Sequence, residues 1–133
     1  MKINAIWKSI VLSTILTSTG FAMGTSVNVE FEKGKNSGHY SGVIKGYDYD
    51  VYNFRARKGQ KIRVNISNQG AYAYLLGPGI KDSVFLYKYS PDVDNQGRYI
   101  LPASGKYELR IMQTRNDARK YKKKEYSVDI EIK

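Results

Sequence analysis

Apolar and polar residues alternate with period two through most of the chain. Tyr107, Leu109 and Ile111 fall on one side of a segment, with Glu108, Arg110 and Gln113 among the polar positions around them. Tyr126, Val128, Ile130 and Ile132 do the same against Ser127, Asp129 and Glu131. Such alternation marks half-buried strands. The two segments predict a long C-terminal hairpin with arms at 104–114 and 125–133. Between them lie Arg115-Asn116-Asp117-Ala118-Arg119 and the basic run Lys120 to Lys124. Hairpin loops usually take about 2–5 residues, so this connection is longer than closure requires.

The same reading predicts strands at Val27–Phe31, His39–Ile44, Val51–Ala56, Lys61–Ile66, Ala71–Leu76 and Arg98–Leu101, with Ser83–Tyr87 either a strand or irregular. Gly46 to Asp50 forms a corner. Lys58-Gly59 is a tight turn, since Gly accepts positive φ, so 51–66 reads as a hairpin. Gly77-Pro78-Gly79 stops one strand, Ser90 to Gly97 is a loop, and Pro102 to Gly105 is a turn. No stretch after residue 22 shows a helical period. About eight or nine short strands with Gly-rich turns predict an all-β fold, a single-domain antiparallel β-sandwich or barrel.

Residues 1–22 stand apart from this pattern. Met1 to Lys8 is basic, Ser9 to Thr19 is apolar apart from Ser and Thr, and Gly20-Phe21-Ala22 ends in small residues. These are the parts of a cleaved secretory signal peptide, and the apolar run is too short for a permanent span. Cleavage after Ala22 is expected; Ala22-Met23-Gly24 also fits cleavage after Gly24. The remaining domain, 23–133, is long enough for one core. It has no cysteine, so the core and the backbone ladders must hold it. A periplasmic location, with no membrane association after cleavage, is expected.

Of the 133 residues, 22 are Lys or Arg and 12 are Asp or Glu, a net charge of +10. Removing Lys2 and Lys8 leaves 10 − 2 = +8. An exported basic protein rarely meets nucleic acid. Anionic envelope polymers, membrane surfaces or acidic protein clefts are the fitting partners. The 12 tyrosines suit strands and also recognition surfaces.

The catalytic inventory is thin. There is no thiol nucleophile, and His39 is the sole histidine, which leaves no His-rich metal site and no nucleophile elbow. No phosphate-loop or dinucleotide signature occurs. No cofactor, metal or enzymatic activity is expected. Asp48 and Asp50, two apart in an extended segment, face the same side and would suit a cation or glycosidase chemistry; bonding nearby backbone N–H groups is the alternative. Asp92, Asp94 and Asn95 resemble a calcium loop only faintly and read as solvated loop acids.

Two stretches carry more than a scaffold requires. In Gly46-Tyr47-Asp48-Tyr49-Asp50, Tyr47 and Tyr49 share one face, to be covered by core or by a partner. In Arg115-Asn116-Asp117-Ala118-Arg119, two guanidinium forks lie close together. Each can grip a carboxylate bidentately, which suits an acidic cleft; a solvated charged loop is the bland alternative.

Across nearly its whole length after the signal the chain resembles the periplasmic inhibitors of g-type (goose-type) lysozyme. The resemblance is carried by Tyr40-Ser-Gly-Val-Ile-Lys-Gly-Tyr-Asp-Tyr-Asp-Val-Tyr-Asn-Phe54, Lys58-Gly-Gln60, Gly77-Pro-Gly-Ile80, Asp82-Ser83 and Tyr89-Ser-Pro91. Leu101-Pro-Ala-Ser-Gly-Lys-Tyr-Glu-Leu-Arg110 and Gln113-Thr-Arg-Asn-Asp-Ala-Arg119 complete it. Single pieces, such as Asp50-x-Tyr52-x-Phe54, also look like the bacterial pre-peptidase C-terminal domain, a β-sandwich. The resemblance implies that sandwich with an inhibitory surface added. It implies that two regions enter the lysozyme cleft, represented here by Tyr47, Asp48, Tyr49 and by Arg115, Asn116, Asp117, Arg119, and that a pocket receives a lysozyme loop. Asp117 is expected to pair with one of the arginines or to bond backbone N–H groups. The Lys122–Lys124 run lies outside the motifs and receives no role. The alternative is an envelope glycan- or peptidoglycan-binding module. A monomer is the simplest oligomeric expectation.

Overall fold

The computed structural model describes residues 22–67 and 70–133. Apart from Ala22, the expected signal segment lies outside the described residues. Nine strands and one short helix follow in order: β1 (Ala22–Asn28), β2 (Ser37–Lys45), β3 (Asp48–Ala56), β4 (Lys61–Ile66), β5 (Ala71–Leu76), β6 (Val84–Phe85), β7 (Arg98–Ile100), β8 (Gly105–Gln113), α1 (Arg115–Arg119) and β9 (Lys123–Ile132).

The strands form two sheets, ordered β1-β3-β8-β5-β6 and β2-β9-β4-β7. Period-two alternation turns one face of each sheet inward. Tyr52, Phe54, Leu75, Tyr107, Leu109 and Ile111 from the five-stranded sheet meet Ile62, Tyr126, Val128, Ile130 and Ile132 from the other, all buried in one cluster. Each fully buried Leu, Ile or Phe contributes about 1.5–3 kcal/mol by leaving water. Phe54 and Tyr107, partners across β3 and β8, stack with ring centroids 5.4 Å apart. The sandwich expected from the alternation is therefore present. Its pairings are antiparallel except for one: β1 runs parallel to β3.

Three local expectations are corrected. The C-terminal arms are not a hairpin, since β8 pairs with β3 and β5 whereas β9 pairs with β2 and β4. Segment 51–66 is not a hairpin either, because β3 and β4 belong to different sheets. In both cases the chain crosses from one sheet to the other. Alternation fixes which face of a strand is buried. It does not fix whether the next strand lies beside it or across the core. Third, the connection at 115–119 is not an irregular loop but one turn of helix, with Thr114 as N-cap accepting from the Asp117 N–H.

Candidate functional site

The crossing from β8 to β9 and the turn from β2 to β3 end at the same edge of the sandwich. The contact between them is built by backbone groups and one amide. The Gly46 N–H donates to the Lys122 carbonyl at 3.1 Å. The Gln113 side chain, 3% exposed, donates from Nε2 to the Gly46 carbonyl at 3.3 Å and to the Lys122 carbonyl at 2.7 Å. Above this the Tyr47 ring meets Tyr121 edge-to-face, with centroids 6.2 Å apart and planes at 87°. Gly46 is needed for the approach. Its φ is +59°, and a Cβ there would lie 2.7 Å from Tyr121 Cδ1.

The helix α1 is anchored by Ala118, which is fully buried, and it leaves Arg115, Asn116 and Arg119 exposed. Arg119 Nη2 donates to Asn116 Oδ1 at 2.7 Å. One such acceptor engages only part of a five-donor fork. The two arginines thus stand on one short, capped turn beside Tyr47. The stretches that the sequence separates are brought together.

Within each stretch some placements differ from expectation. Asp117 forms ion pairs with two lysines. Its carboxylate lies 3.7 Å from Lys122 Nζ and 3.6 Å from Lys124 Nζ, while its N–H is the one that Thr114 caps. The lysine run therefore has a structural part: two of its members neutralise Asp117 under the helix. Tyr47 and Tyr49 are engaged differently rather than as one face. Tyr49 lies on the outer side of β3, with the Arg110 guanidinium 4.8 Å from its ring centre.

Asp48 and Asp50 do not form a carboxylate pair. Asp48 is exposed at the start of β3, whereas Asp50 is 3% exposed and faces the interior. The Tyr126 hydroxyl donates to Asp50 Oδ2 at 2.6 Å, the Thr25 N–H donates to Oδ1 at 3.0 Å, and the Tyr52 and Tyr126 hydroxyls are 2.8 Å apart. Asp50 thus accepts one backbone N–H, as expected, but from the neighbouring strand β1 rather than from a local turn, and two tyrosine hydroxyls extend the network. Burial pushes the Tyr126 phenol far up, and its bond to Asp50 adds to the effect. Burial also raises Tyr52, partly offset by its bond to Tyr126. The network fastens β1, β3 and β9 together. Gly42 makes room for it, since a Cβ there would sit 2.5 Å from the Tyr126 hydroxyl.

His39 is an ordinary surface residue, with Nδ1 2.7 Å from Asp129 Oδ1. Asp94 closes its own loop by accepting the Gln96 and Arg98 N–H groups. Their bonds hold its carboxyl below the usual range.

Sequence reasoning missed Gln113, Tyr121, Lys122 and Lys124 as parts of this surface. Gln113 carried a signal: it shares the parity of Leu109 and Ile111 and so falls on the inward face. Tyr121 is the one aromatic inside a lysine run. Thr114-x-x-Asp117 is the spacing of a helix-capping pair.

No protein-family model matches the chain. A curated protein of Escherichia coli K12, an inhibitor of g-type lysozyme, is 65% identical over 133 residues, covering 100% of both chains. Among solved structures, a mutant of the E. coli periplasmic inhibitor of g-type lysozyme superposes with a TM-score of 0.82 at 67% identity. The Salmonella Typhimurium inhibitor gives 0.81 at 68%; each match covers 83% of this chain and 99% of the other. The Aeromonas hydrophila inhibitor gives 0.69 at 29% identity, over 84% of this chain and 100% of that one. With full-length identity at this level, a sandwich that superposes on the solved inhibitors, and the Tyr47 turn fastened to the arginine helix, the chain belongs to the periplasmic inhibitors of g-type lysozyme.

Proposed function

We propose that this protein inhibits g-type lysozyme in the periplasm, by placing the Tyr47–Tyr49 region and the Arg115–Arg119 helix in the enzyme's substrate cleft. The observation that carries this reading is the joint between them. Gln113 and Gly46 tie the two regions into one projecting surface. A surface fixed in advance loses less conformational freedom on binding.

The chemistry is occlusion, with no bond made or broken. A lysozyme cleft holds a catalytic carboxylic acid and binds an aminosugar polymer. Arg115 and Arg119 supply guanidinium forks for carboxylates in that cleft, and Tyr47 covers apolar sugar-binding surface. Charge-assisted bonds gain strength when water is excluded, provided each charge finds its partner. Asp48 and Asn116 supply polar rim contacts. Asp117 acts from beneath, holding the helix through Lys122 and Lys124. A cavity of about 660 Å³ beside Thr114, walled by Tyr72, Tyr74, Phe85 and Tyr87, is the place for an enzyme loop to enter in return. Lysozymes are commonly basic, so a charge of +8 does not steer the encounter; local complementarity must overcome the repulsion.

Membership in the inhibitor family favours this reading over a glycan-binding module. The test is the Arg115→Ala, Arg119→Ala double variant in a lysozyme turbidity assay. Each arginine, as a buried hot spot of about 2 kcal/mol or more, is expected to account for 10-fold or more in inhibition. The thermal midpoint should stay near wild type, since both side chains are exposed. Full inhibition by the double variant refutes the assignment.

A further inference from the structure

Tyr121 stands where local structure favours glycine. The helix α1 ends in a Schellman turn: the Tyr121 N–H donates to the Ala118 carbonyl at 2.9 Å and the Lys122 N–H to the Asp117 carbonyl at 3.3 Å. The residue at this position of such a turn takes the left-handed conformation and is usually Gly. Tyr121 has φ +55°, and among the described residues no other non-glycine has positive φ. A β-carbon there crowds the following carbonyl.

Burial does not compensate within the free protein, because Tyr121 is 63% exposed. Its ring rests on Gly46 and packs edge-to-face with Tyr47. A glycine at 121 would complete the turn without strain. The ring adds to the demand for glycine at 46, whose φ of +59° already favours one: a Cβ there would lie 2.7 Å from Tyr121 Cδ1. Two conformational costs and an exposed aromatic thus coincide at one point, between Tyr47 and the arginine helix. Strain held at one place by the surrounding structure is a pointer to function.

We propose that Tyr121 is a contact residue for the lysozyme cleft, forming with Tyr47 an aromatic bracket against the surface that otherwise packs on the apolar faces of sugar rings. The proposal rests on the inhibitor reading above and adds to it a residue outside the two cleft-entering stretches. Tyrosine fits such a contact because it brings a large area with few rotatable bonds and is enriched at the energetic centres of interfaces. The edge-to-face pair holds both rings before the enzyme arrives, which lowers the entropy lost on docking. Its neighbours along the chain, Lys120, Lys122 and Lys123, are all exposed.

The variant Tyr121→Gly separates contact from scaffolding because the two roles predict different signs. For a contact residue, relief of the left-handed strain keeps the thermal midpoint at or above wild type, while inhibition of g-type lysozyme weakens about 10-fold or more, the range of a hot spot. A parallel loss of midpoint and inhibition makes Tyr121 a scaffold residue and overturns the proposal, as does unchanged inhibition. A second measurement guards against an indirect effect. A photo-crosslinking aromatic amino acid introduced at 121 is expected to capture the lysozyme in the complex, and absence of a crosslink in a complex that still forms overturns the contact. Wild-type protein is assayed alongside. Failure of wild type to inhibit removes the inhibitor reading itself, whereas inhibition by wild type and equally by Tyr121→Gly removes only the role of Tyr121.

Discussion

Replacing Gln113 by Leu keeps the volume of a buried side chain and deletes the amide that joins the two halves of the surface. The Lys122 carbonyl keeps the Gly46 N–H at 3.1 Å. The buried Gly46 carbonyl loses its amide donor, and an acceptor left unsatisfied in the interior costs about 1–3 kcal/mol. Part of this is offset, because Gln113 Oε1 is itself buried without a partner among the described residues. A net destabilisation of about 1–2 kcal/mol follows, which lowers the thermal midpoint by roughly 4–10 °C for a domain of this size. The effect on inhibition has a separate origin. Once the Gly46 turn can move relative to α1, Tyr47 and Tyr121 must be ordered on binding, at about 0.5–1.5 kcal/mol for each side chain. Together that is about 1–3 kcal/mol, or roughly 5- to 150-fold in affinity. Thermal unfolding by circular dichroism gives the first quantity. Inhibition constants from a turbidity assay, run well below the midpoint, give the second. A lowered midpoint with inhibition unchanged within 3-fold refutes the claim that the two regions work only in register.

Two further outcomes follow from buried and half-buried polar groups. Burial raises the phenols of Tyr126 and Tyr52 above their ordinary value of 10.0. The unfolded chain therefore releases these protons first, and the stability they contribute is complete below pH 10 and falls as pH rises above it. The slope is about 1.4 kcal/mol per pH unit for each such tyrosine, to be read by urea unfolding at successive pH values, with Tyr52→Phe giving a shallower decline. Asp117→Ala leaves Lys122 and Lys124 without their shared carboxylate and is expected to cost about 1 kcal/mol in dilute buffer, a typical upper figure for pairs that solvent reaches. The difference from wild type should shrink in about 1 M salt, where the screening length is roughly 3 Å; a salt-independent loss contradicts an ionic role.

The legible part of the fold is its faces. Parity alone assigns Tyr107, Leu109, Ile111, Val128, Ile130 and Ile132 inward, and all are buried. Pairing is not legible, because a strand's own alternation carries no record of its neighbours. Both expected hairpins are therefore crossings between sheets. The parallel edge strand β1 is hidden for the same reason. The helix α1, five residues long, is shorter than any window in which a 3.6 period can show, although its Thr114 cap is present in the sequence. At the site, chemistry draws attention to Arg115 and Arg119, since clustered guanidinium groups are unusual on a connection longer than it needs to be. The partnership of these residues with Tyr47 depends on contacts between residues far apart in the chain. Those run through Gln113 and Tyr121, residues whose types alone suggest a polar strand position and a stray aromatic. Asp50 shows the opposite case: a carboxylate that looks like half of an acid pair is sequestered by Tyr126 and Thr25.

The central claim is that one preassembled surface blocks one class of enzyme. It is tested most directly by adding the purified protein, residues 23–133, to g-type, c-type and i-type lysozymes in parallel turbidity assays, with the Arg115→Ala, Arg119→Ala variant beside it. The account predicts inhibition of the g-type enzyme, little effect on the other two, and loss of the inhibition in the variant. An undisturbed g-type enzyme, or a variant as potent as wild type, contradicts it.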